Sequence, residues 1–272
     1  MTSEPQQLTL GDVASRLGVH YMTVYRYVRL GMLPATKQGR SWQVSETDLA
    51  AFTAAEPAAA GGRGADWEHR FRNRLLAADE PGSWGVVEAA ATSGMELRHV
   101  YRELVIPALT RIGTMWESGE IDVATEHAAS QVAARIVARL GPRLNPRGVR
   151  RGTIVLGSTA TELHGLPLSI AADLLRAAHY DVVEIGPNLP ADSFGRRVAV
   201  IERVVAVGIG VTTSGQLPQL AETIRAVRAV TDVPIIVGGA GVTEIEATEL
   251  GADAWARTAE GAVEILDGLA GR

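Results

Sequence analysis

Three short stretches of this chain carry side chains whose types and spacing could do chemistry. The first is Glu162-Leu163-His164, inside the segment Gly157-Ser-Thr-Ala-Thr-Glu-Leu-His-Gly165. Imidazole is a good transition-metal ligand, and a carboxylate bonded to its other ring nitrogen fixes the tautomer and raises its basicity. A lone loop histidine is usually incidental; a carboxylate two residues away sets this one apart. The second stretch is Trp116, then nine residues, then Glu126-His127. By themselves these read as a helix-end core tryptophan and a solvated Glu-His pair. The third runs from Val13 to Ser45 and holds Arg16, Arg26, Arg29, Lys37 and Arg40 with no acidic residue, a local charge suited to phosphates.

Much chemistry is excluded. The chain has no cysteine, which removes disulfides, thiolate nucleophiles, Cys-based zinc sites and iron–sulfur clusters. Any metal chemistry therefore rests on histidine, with His164 the foremost ligand. The loop before it is neither G-x-G-x-x-G nor a Walker loop, so a dinucleotide dehydrogenase is not expected. The net charge of −5 over 272 residues argues against a generally basic coat. That charge is unevenly placed: residues 1–56 are neutral, with five basic and five acidic side chains, and 57–272 carry the whole −5. Lys37 is the only lysine among 26 basic residues, which reads first as a composition bias. No apolar run approaches the roughly 20 residues that span a bilayer, and the N-terminus is polar, so a cytoplasmic protein with no membrane partner is expected.

The elements that must position these residues fall into three blocks. Leu10, Val13, Ala14 and Leu17 have helical spacing and Gly18 breaks the pattern; a second helix is expected over 21–30, ended by Gly31. Lys37-Gln38-Gly39-Arg40 is a turn between two extended pieces, and Ser45 begins a third helix. This is the outline of a winged helix-turn-helix, with His20, Tyr21, Thr23, Tyr25 and Arg26 toward the start of the second helix, where base edges are read, and Arg29, Lys37 and Arg40 toward the backbone. A basic helical domain used for protein contacts is the alternative. After a Pro- and Gly-containing linker, four helices are expected at about 66–78, 83–92, 95–118 and 121–140, a four-helix bundle. Another connector, 141–152, leads to five alternating strand–helix units with strands 153–156, 181–185, 204–211, 234–237 and 252–255. Near-continuous apolar strands such as VVAVGIGV predict a parallel sheet covered on both faces, a flavodoxin-like domain with its ligand site beyond the strand C-termini. The division is then 1–53, 54–65 as linker, 66–142 and 143–272.

The stretch DVASRLGVHYMTVYRYVRLGMLP resembles MerR- and excisionase-type DNA-binding domains over about 45 residues, with Tyr25 where that family often has Arg or a small polar residue. The three blocks in order resemble the CarH/LitR family of cobalamin-binding transcriptional regulators, over nearly the whole chain. The resemblance implies cobalamin, adenosylcobalamin foremost, as cofactor. It implies His164 as lower cobalt ligand within a D-x-H-x-x-G-type signature, here with Glu162 for the Asp and Pro167 for the Gly. Thr213, Ser214, Gly238 and Gly239 correspond to the loops around the nucleotide tail. Trp116, Glu126 and His127 match a cap motif over the cofactor's upper face, whereas Glu117 stands where the photoreceptors of the family have a second cobalt-binding histidine. The implied function is a light-responsive repressor rather than an enzyme, a homo-oligomer (dimer or tetramer) on operator DNA. A corrinoid methyl carrier, or a regulator of this fold that senses another ligand, are the alternatives.

Overall fold

A computed structural model describes residues 7–17, 21–29, 33–39, 41–55 and 66–270, and these form two compact units, 1–66 and 67–272. In the first unit, strand β1 (Gln7–Thr9) leads directly into helix α1 (Leu10–Leu17), followed by α2 (Tyr21–Arg29), β2 (Thr36–Gln38), β3 (Ser41–Ser45) and α3 (Glu46–Ala55). Thr9 starts α1: its hydroxyl accepts the Asp12 amide at 3.2 Å, and the Asp12 carboxylate accepts the Thr9 amide at 3.0 Å. Ser45 caps α3 through the Asp48 amide at 3.0 Å. The three strands form an antiparallel sheet in the order β1-β3-β2, in which Leu8 faces Val44 and Lys37 faces Trp42. The sequence reading contains the β2–β3 hairpin but not β1, a three-residue strand that exists only because β3 offers it an edge. Leu10, Val13, Val24, Leu33, Val44 and Leu49 close the core, with the Tyr27 and Phe52 rings 5.2 Å apart beside it.

The second unit begins with α4 (Trp67–Leu76), α5 (Glu80–Thr92) and α6 (Leu97–Val100). A π turn (Tyr101–Val105) joins α6 to α7 (Ile106–Glu117), and α8 (Val123–Leu144) completes the bundle. Where one unbroken helix is expected over 95–118, the chain inserts this wide turn. The Ile106 amide reaches back five residues to the Tyr101 carbonyl. Pro107 supplies the reason: it has no N–H for the preceding turn, and its ring would strike the carbonyl four residues back in a regular helix. At the other end, α8 runs through Pro142 to Leu144, past the expected break at 141.

The rest alternates β4 (Thr153–Thr159), α9 (Leu166–Ala177), β5 (Asp181–Leu189), α10 (Ala191–Ala199), β6 (Val204–Gly210), α11 (Leu217–Arg228), β7 (Ile235–Gly238), α12 (Glu244–Glu249), β8 (Ala254–Ala256) and α13 (Ala259–Ala270). All five strands are parallel, in the order β5-β4-β6-β7-β8. This is the flavodoxin-like order, whose reversal falls between β4 and β6 and opens a crevice at their C-terminal ends. Ile170 and Leu174 of α9 join the bundle core. Beside them the buried Tyr101 hydroxyl donates to Asp173 of α9 at 2.7 Å. Burial pushes the Asp173 carboxyl above its ordinary range, against the Tyr101 and Arg176 contacts that favour its charge. Gly141 of α8 lies so close to Asp173 that a Cβ there would overlap the carboxylate.

Candidate cofactor site and nucleic-acid interface

The crevice beside the strand reversal is where Glu162 and His164 stand. Glu162 follows β4, and its side chain is 0% exposed whereas His164 is 57% exposed. One carboxylate oxygen of Glu162 accepts the Thr212 and Thr213 amides, at 2.6 and 2.8 Å, from the loop after β6. The other accepts Nδ1 of His164 at 2.6 Å and the His164 amide at 3.0 Å. The Thr213 hydroxyl adds a longer bond at 3.3 Å. Burial pushes the carboxyl up, but the bonds from Thr213, His164 and Thr212 outweigh it, and Glu162 sits below the ordinary glutamate range. With Nδ1–H committed to this anion, the His164 ring keeps its lone pair on Nε2, which lies on the exposed side chain.

Two more ties hold the loop. The buried Thr159 hydroxyl donates to Oε1 of Gln216 at 2.8 Å, and the Thr161 amide donates to Asn188 at 2.9 Å. Thr161 and Asn188 both have positive φ, 72° and 56°, a conformation costly for such residues unless neighbours enforce it. The sequence reading places Thr159, Thr212 and Gln216 in loops at the ligand edge without giving them a role of their own, and it does not name Asn188. Their one signal is position, since each lies at or just beyond the C-terminal end of β4, β5 or β6.

The remaining expected contacts divide. Ser214 is exposed next to Thr213. Gly238 and Gly239 are needed by the fold: Cβ atoms there would press on the carbonyl oxygens of Ala256 and Val211, and Gly239 has φ of +115°. In the bundle, Trp116 is half-exposed at the end of α7, with Glu117 beside it. Glu126 and His127 lie in the first turn of α8, joined by a 2.7 Å bond between Nδ1 and the carboxylate. Among the described residues no hydrogen bond links Trp116 to this pair.

Of the residues expected at a nucleic-acid interface, Tyr21 is exposed on α2 and Lys37 on β2. Tyr25 instead packs partly against the core. Arg16 is bonded to Glu46 at 2.8 Å, so the local positive charge is smaller than the residue count suggests. His20 and Arg40 lie outside the described residues, as do the side chains of Thr23, Arg26 and Arg29.

An imidazole fixed by a buried carboxylate at the open edge of a parallel sheet presents one nitrogen donor to a ligand. Residues 152–267 match the B12 binding domain. Residues 67–140 match a second family of that description, and 8–57 match the helix-turn-helix domain. The chain thus joins a helix-turn-helix domain to a helical B12-binding cap and a five-stranded B12-binding α/β domain. It is 26% identical over 211 residues to a corrinoid protein of Desulfitobacterium hafniense (strain Y51), covering 74% of this chain and 96% of that one. It is 32% identical over 197 residues to the HTH-type transcriptional repressor CarH of Myxococcus xanthus, covering 68% of this chain and 64% of the repressor. The monomethylamine corrinoid protein of Methanosarcina barkeri shares the fold, with a TM-score of 0.64 at 17% identity over 73% of this chain and 96% of that one. No helix among the described residues is long and apolar enough to cross a membrane.

Proposed function

We propose that this protein is a transcriptional repressor that reads cobalamin, adenosylcobalamin foremost, and binds its operator as a homo-oligomer. The observation that carries this reading is the buried, fully bonded Glu162 holding His164 by Nδ1 in a chain that also has a helix-turn-helix domain. His164 would hold the cobalt through Nε2; Glu162 fixes that tautomer and orientation, and Thr212 and Thr213 keep Glu162 ionised. Trp116, Glu126 and His127 would cover the cofactor from the bundle. Bound adenosylcobalamin supplies a cobalt–carbon bond that visible light breaks, which makes light the signal of this reading. Tyr21 and its neighbours on α2 read base edges, while Lys37 and the arginines hold phosphates. Several such domains in one oligomer multiply modest single affinities, so a change in assembly becomes a change in operator occupancy. A methyl carrier would use the same cofactor fold but would have no use for the helix-turn-helix domain at 8–57.

The test is a visible spectrum of the full chain with adenosylcobalamin, before and after green light, alongside gel filtration and operator binding. The expected result is a nitrogen-ligated spectrum that changes on illumination together with oligomer size and DNA affinity. Operator binding identical with and without cobalamin, in dark and light, overturns the sensing role.

A further inference from the structure

Residues 127–161 hold six arginines and no acidic residue, within a stretch, 57–272, whose net charge is −5. Four of the six, Arg135, Arg139, Arg143 and Arg147, recur at every fourth position. The first three form a row along the exposed side of α8, and Arg147 follows just past the helix end. Arg135 is bonded to Glu80 at 2.6 Å, while off the row Arg150 and Arg151 pair with Asp181 and Asp267. Arg139, Arg143 and Arg147 are exposed, and among the described residues no carboxylate pairs with them.

Two of these three are held by an aromatic ring instead. The guanidinium carbons of Arg139 and Arg143 lie 3.7 and 4.6 Å from the ring centroid of Trp84, a buried residue of α5. A guanidinium stacked by its flat face is ordered while its N–H edge stays free, and that edge is the part that fits a phosphate. Like charges one turn apart repel, and an anion beside them relieves that repulsion. Arg139 and Arg143 stand about 6 Å apart along the helix axis. A small anion covers one such turn, whereas a duplex with a phosphate on each strand for about every 3.4 Å of axis can neutralise the row.

The rest of the chain points to the occupant. Residues 56–66 join α3 to α4, and eleven residues reach at most about 40 Å when fully extended. DNA held by the helix-turn-helix domain is therefore tethered near the second unit, at a high effective concentration. That tie favours DNA over an acidic protein surface. We propose that Arg139, Arg143 and Arg147 form a second phosphate-binding surface, on the helical cap, for the DNA that the helix-turn-helix domain holds. The assignment rests on the DNA-binding reading above and is independent of cobalamin.

The test measures binding of the full chain to a mixed-sequence duplex of about 60 bp between about 50 and 200 mM salt. Each phosphate contact contributes about 0.9 to the slope of log affinity against log salt. Arg139→Gln/Arg143→Gln should lower the slope by about 1.8, so that its deficit against the wild type shrinks about 12-fold over that range. Arg147→Gln, off the Trp84 stack, should lower it by about 0.9. Arg139→Lys/Arg143→Lys keeps the charge and should hold the wild-type slope. Arg98→Gln/Arg196→Gln removes two charges that already pair with carboxylates elsewhere, and should hold it too. Circular dichroism checks folding, and gel filtration gives oligomer size. A wild-type slope in Arg139→Gln/Arg143→Gln overturns the proposal; if that variant does not fold, a wild-type slope in Arg147→Gln does. An equal loss in the Lys variant overturns it by reducing the pair to packing on Trp84, and an equal loss in Arg98→Gln/Arg196→Gln by reducing it to net charge. A lowered slope that comes only with a smaller oligomer overturns it in favour of a contact between subunits. If the wild-type chain binds no duplex at any salt, the DNA-binding reading itself fails, which is a separate outcome.

Discussion

Replacing Glu162 by Gln tests the centre of the site with the smallest change of shape. The native carboxylate only accepts, and every group around it donates: the Thr212 and Thr213 amides on one oxygen, the His164 amide and Nδ1 on the other. A Gln amide must turn its NH2 toward one of these pairs. In either orientation two bonds to a charged acceptor are lost, donors face donors, and the two remaining bonds now end on a neutral oxygen. Each bond to a charged group contributes about 1.5–3 kcal/mol, so a loss of about 3 kcal/mol remains after local relaxation. For an m value of about 2 kcal/mol/M, the urea midpoint of the second unit falls by about 1.5 M. Cobalamin affinity, measured by spectral titration, falls about 10–100-fold because His164 loses its fixed tautomer. Acid supplies an independent check. The native Glu162 pKa is depressed, so its stabilisation is complete above the ordinary glutamate value near 4.3 and is lost as pH falls through the lower folded value. The Gln variant should lack that part of the acid limb. A variant with the wild-type urea midpoint, acid limb and cobalamin affinity would refute the account of the site.

Three further outcomes are expected. Tyr101→Phe removes the donor to buried Asp173 and should cost about 1.5–3 kcal/mol in urea unfolding, with unchanged stability showing that Arg176 alone satisfies the carboxylate. Gly239→Ala places a methyl group against the Val211 carbonyl at positive φ and should lower stability by about 2 kcal/mol or more even without cobalamin, whereas a purely cofactor-facing glycine would affect only binding. Lys37→Ala should weaken operator binding evenly across sequences and reduce the salt slope by about one, which a titration of affinity against salt would detect.

The architecture was legible where pattern and physics coincide. Apolar strands such as VVAVGIGV specify a sheet buried on both faces, and with five such units the flavodoxin-like order follows. The Glu162–His164 pair was readable because its two members are only two residues apart. What encloses them was legible only in part: the loop holding Thr212 and Gln216 was marked as ligand edge, but that it and Asn188 tie down the His164 loop follows only from the folded register. Gly238 and Gly239 carry a demand of the fold as well, because Cβ atoms there would press on the carbonyl oxygens of Ala256 and Val211. Charge counting also overstated the basic face, since Arg16 is spent on Glu46 across thirty residues. The wide turn at 101–105 has a visible cause in Pro107, but helical periodicity alone passes over a single proline near the start of a long apolar stripe.

That wide turn also acts as an angular offset. Each residue of an α-helix advances the chain by about 100° around the axis, so one residue more than the regular turn requires rotates everything beyond it by about that amount. Downstream lie Ile106–Glu117, ending in Trp116, whereas upstream the buried Tyr101 is locked to Asp173. The direction in which Trp116 faces is therefore a matter of phase, set fifteen residues earlier. Deleting one residue between Tyr101 and Val105 would leave the helix intact in length and composition, but it would turn the tryptophan about a quarter of the way around its own axis.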